Sequence, residues 1–249
     1  MTRPMPCSRG EELLLARISA AAGREHIGRR RATYVGAAHT PRTDAVPVRW
    51  LRCLLAFARY GRSSATRTGA NARLDLYEHG LTVAVGGRIH VVRYDTTSVF
   101  QKGTRQHPHD SVARPPHHSH LRTTRAYVLT DVEGQRVVLL GRSEDSGTEE
   151  WVPAIQRAVT RAQLPRALAA LERGERLSFG DVWLTQEQVG SGVMSARWPQ
   201  VRQIDVDKEA IRLHTDGNWH TLMPTTSTVP NLFLFCALVE RLRADGMPP

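Results

Sequence analysis

From Arg73 onward the apolar residues alternate with polar ones in short runs cut by glycine turns, and twice this period of two gives way to a helical period. That order restricts the chain to short antiparallel strands built into sheets, with a helix after each set. "RLDLYEHGLTVAV" alternates on both sides of "EHG", whose glycine is expected to supply the positive φ of a tight turn. "RIHVVRYDTTSVFQ" resumes after the Gly86-Gly87 turn, and "RAYVLTDVEGQRVVLLG" turns at "EG". In "GTEEWVPAIQRAVTRAQL" the residues Trp151, Ile155, Ala158, Val159 and Ala162 fall at helical spacing, and Pro153 is tolerated near the first turn. Pro165 is expected to open a second helical piece, "PRALAALERGE", ending around Gly174.

The pattern then repeats. "RLSFGDVWLT", "GVMSARW", "VRQIDVD", "AIRLHTD" and "WHTLMP" read as strands, with Gly190 and Gly192 as turn residues between them. "STVPNLFLFCALVERLRADG" closes the chain as a helix, with Thr228 as its cap and Gly246 as its stop. Leu232, Phe235, Cys236, Val239 and Leu242 define one face made for burial. Arg93-Tyr94 and Arg197-Trp198 each precede a turn and a new strand, roughly a hundred residues apart, as in an internal duplication.

Charge divides the chain differently. The formal net charge is +10, but residues 1–72 hold thirteen arginines against four acids, and the remainder is close to neutral. The excess therefore belongs to an N-terminal appendage, which disfavours a nucleic-acid partner for the rest. A hydrophobic content of 41% suffices for a core. Cys7, Cys53 and Cys236 are far apart and lack the paired spacing of a metal site, so a reducing compartment is expected. Glu11, Glu12 and Arg17 interrupt the first apolar run, so no signal peptide is expected, and no stretch is long enough for a membrane span. The expected location is cytoplasmic, with membrane association as the variant below.

"VRWLRCLLAFARYGR" places Trp50, Leu51, Leu54, Leu55, Phe57 and Ala58 on one broad side of a helix, with Arg49, Arg52 and Arg59 on the other. Such a helix either lies on an anionic membrane surface or docks its apolar side on the remaining fold. "GRRRAT", residues 28–33, adds charge without geometry.

The segments "LDLYEHGLTVAVGGRIHVVRYDTTSVFQ" and "LSFGDVWLTQEQVGSGVMSARWPQVRQIDV" resemble bacterial pleckstrin-homology-like domains. The whole order, with its Leu-Pro connecting helix and late "VPN" helix, resembles an actinobacterial family of uncharacterised proteins with two such folds, over about residues 70–245. The second copy departs from the pattern, with "QEQVG" where the first has "YEHGL". The resemblance implies an α+β, mainly β fold: two tandem pleckstrin-homology-like β-barrels, each closed by a C-terminal helix, behind a helical basic N-terminal arm. The expected divisions are 1–70 for the arm, 71–164 for the first domain, and 165–249 for a linking helix and the second domain. A phosphoinositide ligand fits poorly, because "VGGRIH" offers only Arg88 and His90 and "VGSGV" nothing basic.

The remaining chemistry is sparse. "HPHDSVARPPHHSH", residues 107–120, holds His107, His109, His117, His118 and His120, but prolines mark it as a loop that cannot hold ligands at fixed distances. Glu78 and His79 sit at a hairpin tip and are expected to be solvated there, and Trp183, Trp198 and Trp219 are expected in cores rather than as base-stacking platforms. No catalytic set, metal or cofactor is implied. The expectation is a non-enzymatic binding or scaffold module for a protein or peptide. The alternative is a peripheral membrane protein held to anionic lipid by Arg49, Trp50, Leu51, Arg52, Leu54, Leu55, Phe57 and Arg59.

Overall fold

The computed structural model describes residues 9–35, 38–39, 72–105, 123–142, 151–192, 194–207 and 210–246. Helix α1 (Arg9–Arg24) is followed by strands β1 (Arg30–Val35) and β2 (Ala38–His39). The first alternating runs form β3 (Arg73–Tyr77), β4 (Gly80–Val85), β5 (Arg88–Arg93), β6 (Phe100–Arg105), β7 (Thr123–Thr130) and β8 (Arg136–Arg142), leading into α2 (Trp151–Glu172). The second set is β9 (Leu177–Phe179), β10 (Val182–Leu184), β11 (Gln188–Ser191), β12 (Met194–Arg197), β13 (Val201–Val206), β14 (Ile211–Thr215) and β15 (Asn218–Met223), leading into α3 (Leu232–Gly246).

These strands make four separate antiparallel sheets: A (β1-β3-β4-β5), B (β2-β8-β7-β6), C (β9-β10-β11-β12) and D (β13-β14-β15). Sheets A and B share a core in which Leu74, Leu81, Val83 and Val92 meet Tyr127, Leu129, Val137 and Leu139. Trp151, Ile155 and Val159 of α2 complete it. Sheets C and D share a second core, where Val182, Leu184 and Val189 meet Ile211, Leu213 and, from α3, Phe235 and Leu238. Both halves thus run sheet, sheet, helix.

Among the described residues no sheet closes into a barrel, so the two helix-closed barrels expected from the sequence give way to separate sheets. Closure needs strands long enough to tilt and stagger around a ring, and β9 to β12 have only three or four residues each. Two stacked sheets bury the same alternating residues without joining their edges. The N-terminal part also departs from a helical arm, since β1 and β2 are edge strands of sheets A and B.

Two local expectations are corrected as well. Pro165 does not open a new helix; it sits inside the 22-residue α2. Pro165 and Arg161 are both exposed, so the carbonyl that loses its helical partner there has access to water. The flanks of the helix are held by different cores, Trp151 and Ile155 by the first and Leu171 by the second. At α3, Thr228 belongs to a short 3-10 turn rather than the cap. Asn231 stands before the helix with φ 49°, and its carbonyl accepts from Leu234 and Phe235 N–H.

Candidate interaction face

Sheet D positions the most exposed aromatic side chain of the described residues. Asp216 and Gly217, with φ of 50° and 82°, make the left-handed two-residue turn between β14 and β15. The register pairs His214 with Trp219 and Arg212 with Thr221, while Leu213 and Ile211 point into the core. His214 and Trp219 therefore share the outer face, with ring centroids 5.0 Å apart and planes tilted by 45°. Trp219 is 49% exposed. Beside it, Arg212 holds Asp205 at 2.7 Å and Asp207 at 2.8 Å, forming a polar rim.

β15 is also an edge strand. Thr215 and Asn218 close the turn, so the alternation of an antiparallel ladder directs the backbone groups of Trp219 and Thr221 away from β14. Asn218, Trp219, His220 and Thr221 are exposed in succession. An indole, an imidazole and unpaired edge groups together suit an extended peptide better than a compact polar ligand.

The other tryptophans explain why this one stands out. Trp198 is buried and donates its Nε1–H to the Thr185 carbonyl at 3.1 Å. Trp183 lies across Gly190, where an added Cβ would come within 2.6 Å of its ring, and the Arg176 guanidinium stacks 4.0 Å above. Gly190 is thus a strand residue under an indole, not a turn; Gly192, with φ 57°, is the turn. Core packing was the expectation for all three: Trp198 meets it, Trp183 is buried on the face of β10 opposite the core residues Val182 and Leu184, and Trp219 is left exposed at the start of β15.

Three buried polar groups were candidates for chemistry. His90 Nδ1 donates to Asp131 Oδ2 at 2.8 Å, tying β5 to the β7–β8 turn. The second oxygen of Asp131 accepts from Glu133 N–H and Gln135 N–H, so the carboxylate is committed to shaping that turn. Gln163 of α2 donates to the carbonyls of Tyr94 and Thr97, and Asn231 donates to Gln163 and Thr97 while accepting from Val99 N–H. That knot locks the two halves together. Asp75, wholly buried on the outer face of sheet A, accepts from Arg73 at 2.7 and 3.0 Å and from Thr33.

Ionisation follows these contacts. The Arg93 guanidinium donates to Asp95 and holds its carboxyl below the usual carboxylate range. Glu78 is lowered first by the Arg29 N–H it accepts and also by Arg31, so its carboxylate is bound rather than merely solvated. Burial pushes the Cys236 thiol up to about 11, leaving it protonated near neutrality.

Arg49, Trp50, Leu51, Arg52, Leu54, Leu55, Phe57 and Arg59 lie outside the described residues, and so do the five histidines of 107–120. Among the described residues no three metal-ligating side chains stand together. No helix among them is long and apolar enough to cross a membrane.

A family profile described only as a family of unknown function, DUF6585, matches residues 54–246. The chain belongs to DUF6585. The match covers β3 to β15 with α2 and α3, including Trp219, and begins inside the apolar run at Leu54. Residues 9–39, with α1, β1 and β2, lie ahead of the DUF6585 match. No curated protein matches the chain.

Proposed function

We propose that this DUF6585 protein is a non-enzymatic binding or scaffold module that takes a protein partner through an extended segment laid along β15. The observation that carries this reading is Trp219, an indole left in solvent beside His214 on a free sheet edge. Exposed tryptophans at the centre of a contact are strong anchors, and an edge strand supplies the backbone hydrogen bonds of a β-type interface. The polar rim of Arg212, Asp205 and Asp207 fits the periphery of such a contact.

The test is selection of a displayed random-peptide library on the immobilised full chain. Enriched peptides are expected to bind wild type and to lose affinity about tenfold or more for Trp219→Ala, as a hot-spot loss implies. The variant should melt as wild type does, to within about 0.5 kcal/mol, because the residue is a surface one. No enrichment, or equal binding to the variant, would overturn the assignment.

A further inference from the structure

Residues 9–35 are held to sheet A like a ligand, and β2 pairs separately with β8 of sheet B. β1 pairs with β3 at five positions. The ladder continues beyond the strand, with Glu78 N–H donating to the Arg29 carbonyl and His79 N–H to that of Ile27. On the outer face of sheet A, Ile18, Ala21, Ala22 and Ile27 cover Tyr77, Ala84 and Val91. Gly80 lies under this contact: its φ is not positive, and an added Cβ would collide with the Val92 carbonyl oxygen on β5 and press within 2.7 Å of Ile27. The polar contacts are equally specific. Buried Asp75 takes a hydroxyl from Thr33 and has Arg30 at 3.8 Å, while Glu78 takes Arg31 and the Arg29 N–H.

The second half of the molecule supplies the comparison. Counting back from the buried aromatics Tyr94 and Trp198, β5 corresponds to β12, β4 to β11 and β3 to β10. β1 then occupies the place of β9. β9 is joined to β10 by a tight turn at Gly180, whereas β1 reaches its place from Val35, far ahead of Arg73. One half fills its fourth position with the adjoining strand and the other from a distant segment. That segment also precedes the DUF6585 match, while the surface it covers lies inside it.

We propose that sheet A carries an acceptor site for a helix-and-strand segment, filled in cis by α1 and β1 (residues 9–35) and open to the same segment of a second copy of the chain. The recognition chemistry is an apolar helix face on Tyr77, Ala84 and Val91, a strand laid along β3, and an Arg–Thr pair meeting the Asp75 carboxylate. The cis segment is covalently joined to its acceptor, so exchange between copies becomes visible once the chain is cut between them.

The experiment places a protease site at residues 41–46 of the full chain, cuts it, and adds a fluorescein-labelled peptide of residues 9–35 as the second copy's segment. Saturable uptake by the cut chain, with little by the intact one, is expected. A peptide carrying Arg30→Glu and Thr33→Val should compete about tenfold or more weakly, having lost the charge-assisted contacts to Asp75. A fragment that stays bound without exchanging, or a remainder that unfolds on cutting, would make residues 9–35 an integral part of the fold and end the proposal. Hydrogen exchange on the intact chain gives an independent reading. Amides of α1 and β1 should exchange about tenfold faster than those of β4, and equal protection would also overturn the idea.

Discussion

At Asp95 one ion pair has a pH signature. Arg93 donates to both carboxylate oxygens, at 3.1 and 2.9 Å, and the carboxyl titrates below its ordinary value. A depressed carboxyl takes up its proton less readily folded than unfolded. Its stabilisation is therefore complete above the ordinary aspartate value of about 3.9 and fades as pH falls below that toward the folded value. Asp95→Asn should lower the melting temperature at neutral and alkaline pH, where the pair is intact, and flatten the acid limb so that the two profiles converge at low pH; an identical acid limb would refute the assignment. Because the pair is partly exposed, the effect should also shrink as salt is added. Arg93-Tyr94 was legible in the sequence as a repeated dipeptide, but its partner Asp95 was not, since spacing alone does not choose among nearby carboxylates. Gly80 and Gly190 were misread for a related reason: sequence marks a glycine, and only packing tells a turn from a place where a side chain would collide.

At the scale of the element, α3 is the clearest success of periodicity. Phe235, Val239 and Leu242 of the expected face are buried in the second core, Leu232 and Cys236 are only partly buried, and Leu234 and Leu238 are buried beside that face; Phe235 meets Phe179 edge-on with centroids 5.6 Å apart. Phe235→Ala should cost about 3–5 kcal/mol in chemical denaturation, as large-to-small core changes do. An unchanged midpoint would mean that α3 does not support the second core. Cap positions were less legible. Thr228 has the right residue type at a suitable distance, yet the chain turns at Asn231, whose side chain is drawn into the knot with Gln163 and Val99. A partner 132 residues earlier leaves no trace in a local pattern. Trp219 escaped for the complementary reason. Alternation assigns it to one face of β15, but whether that face is covered depends on elements elsewhere in the chain.

For the whole molecule, the alternating runs determine which residues face inward, and both cores follow from them. They do not determine whether sheet edges meet, which is why stacked sheets stand where barrels were expected. The same distinction bears on residues 49–59, which lie outside the described residues and whose sequence is that of a helix with one apolar side. The DUF6585 match begins at Leu54, which places Leu54, Leu55 and Phe57 with the family's shared region rather than with an appendage. Docking on the fold is therefore the expected outcome. Leu54→Glu should then lower the melting temperature, and wild type should not sediment with anionic vesicles at near-physiological salt. Insertion into a membrane would give the opposite pattern: wild-type binding that weakens with salt and with neutral lipid, loss of that binding in the variant, and an unchanged melt. Arg49, Arg52 and Arg59 would each add about 1 kcal/mol of attraction to an anionic surface, a contribution that fades as the screening length shortens. One substitution measured in two assays thus separates the models, and vesicle binding by the wild-type chain would sink the docked one.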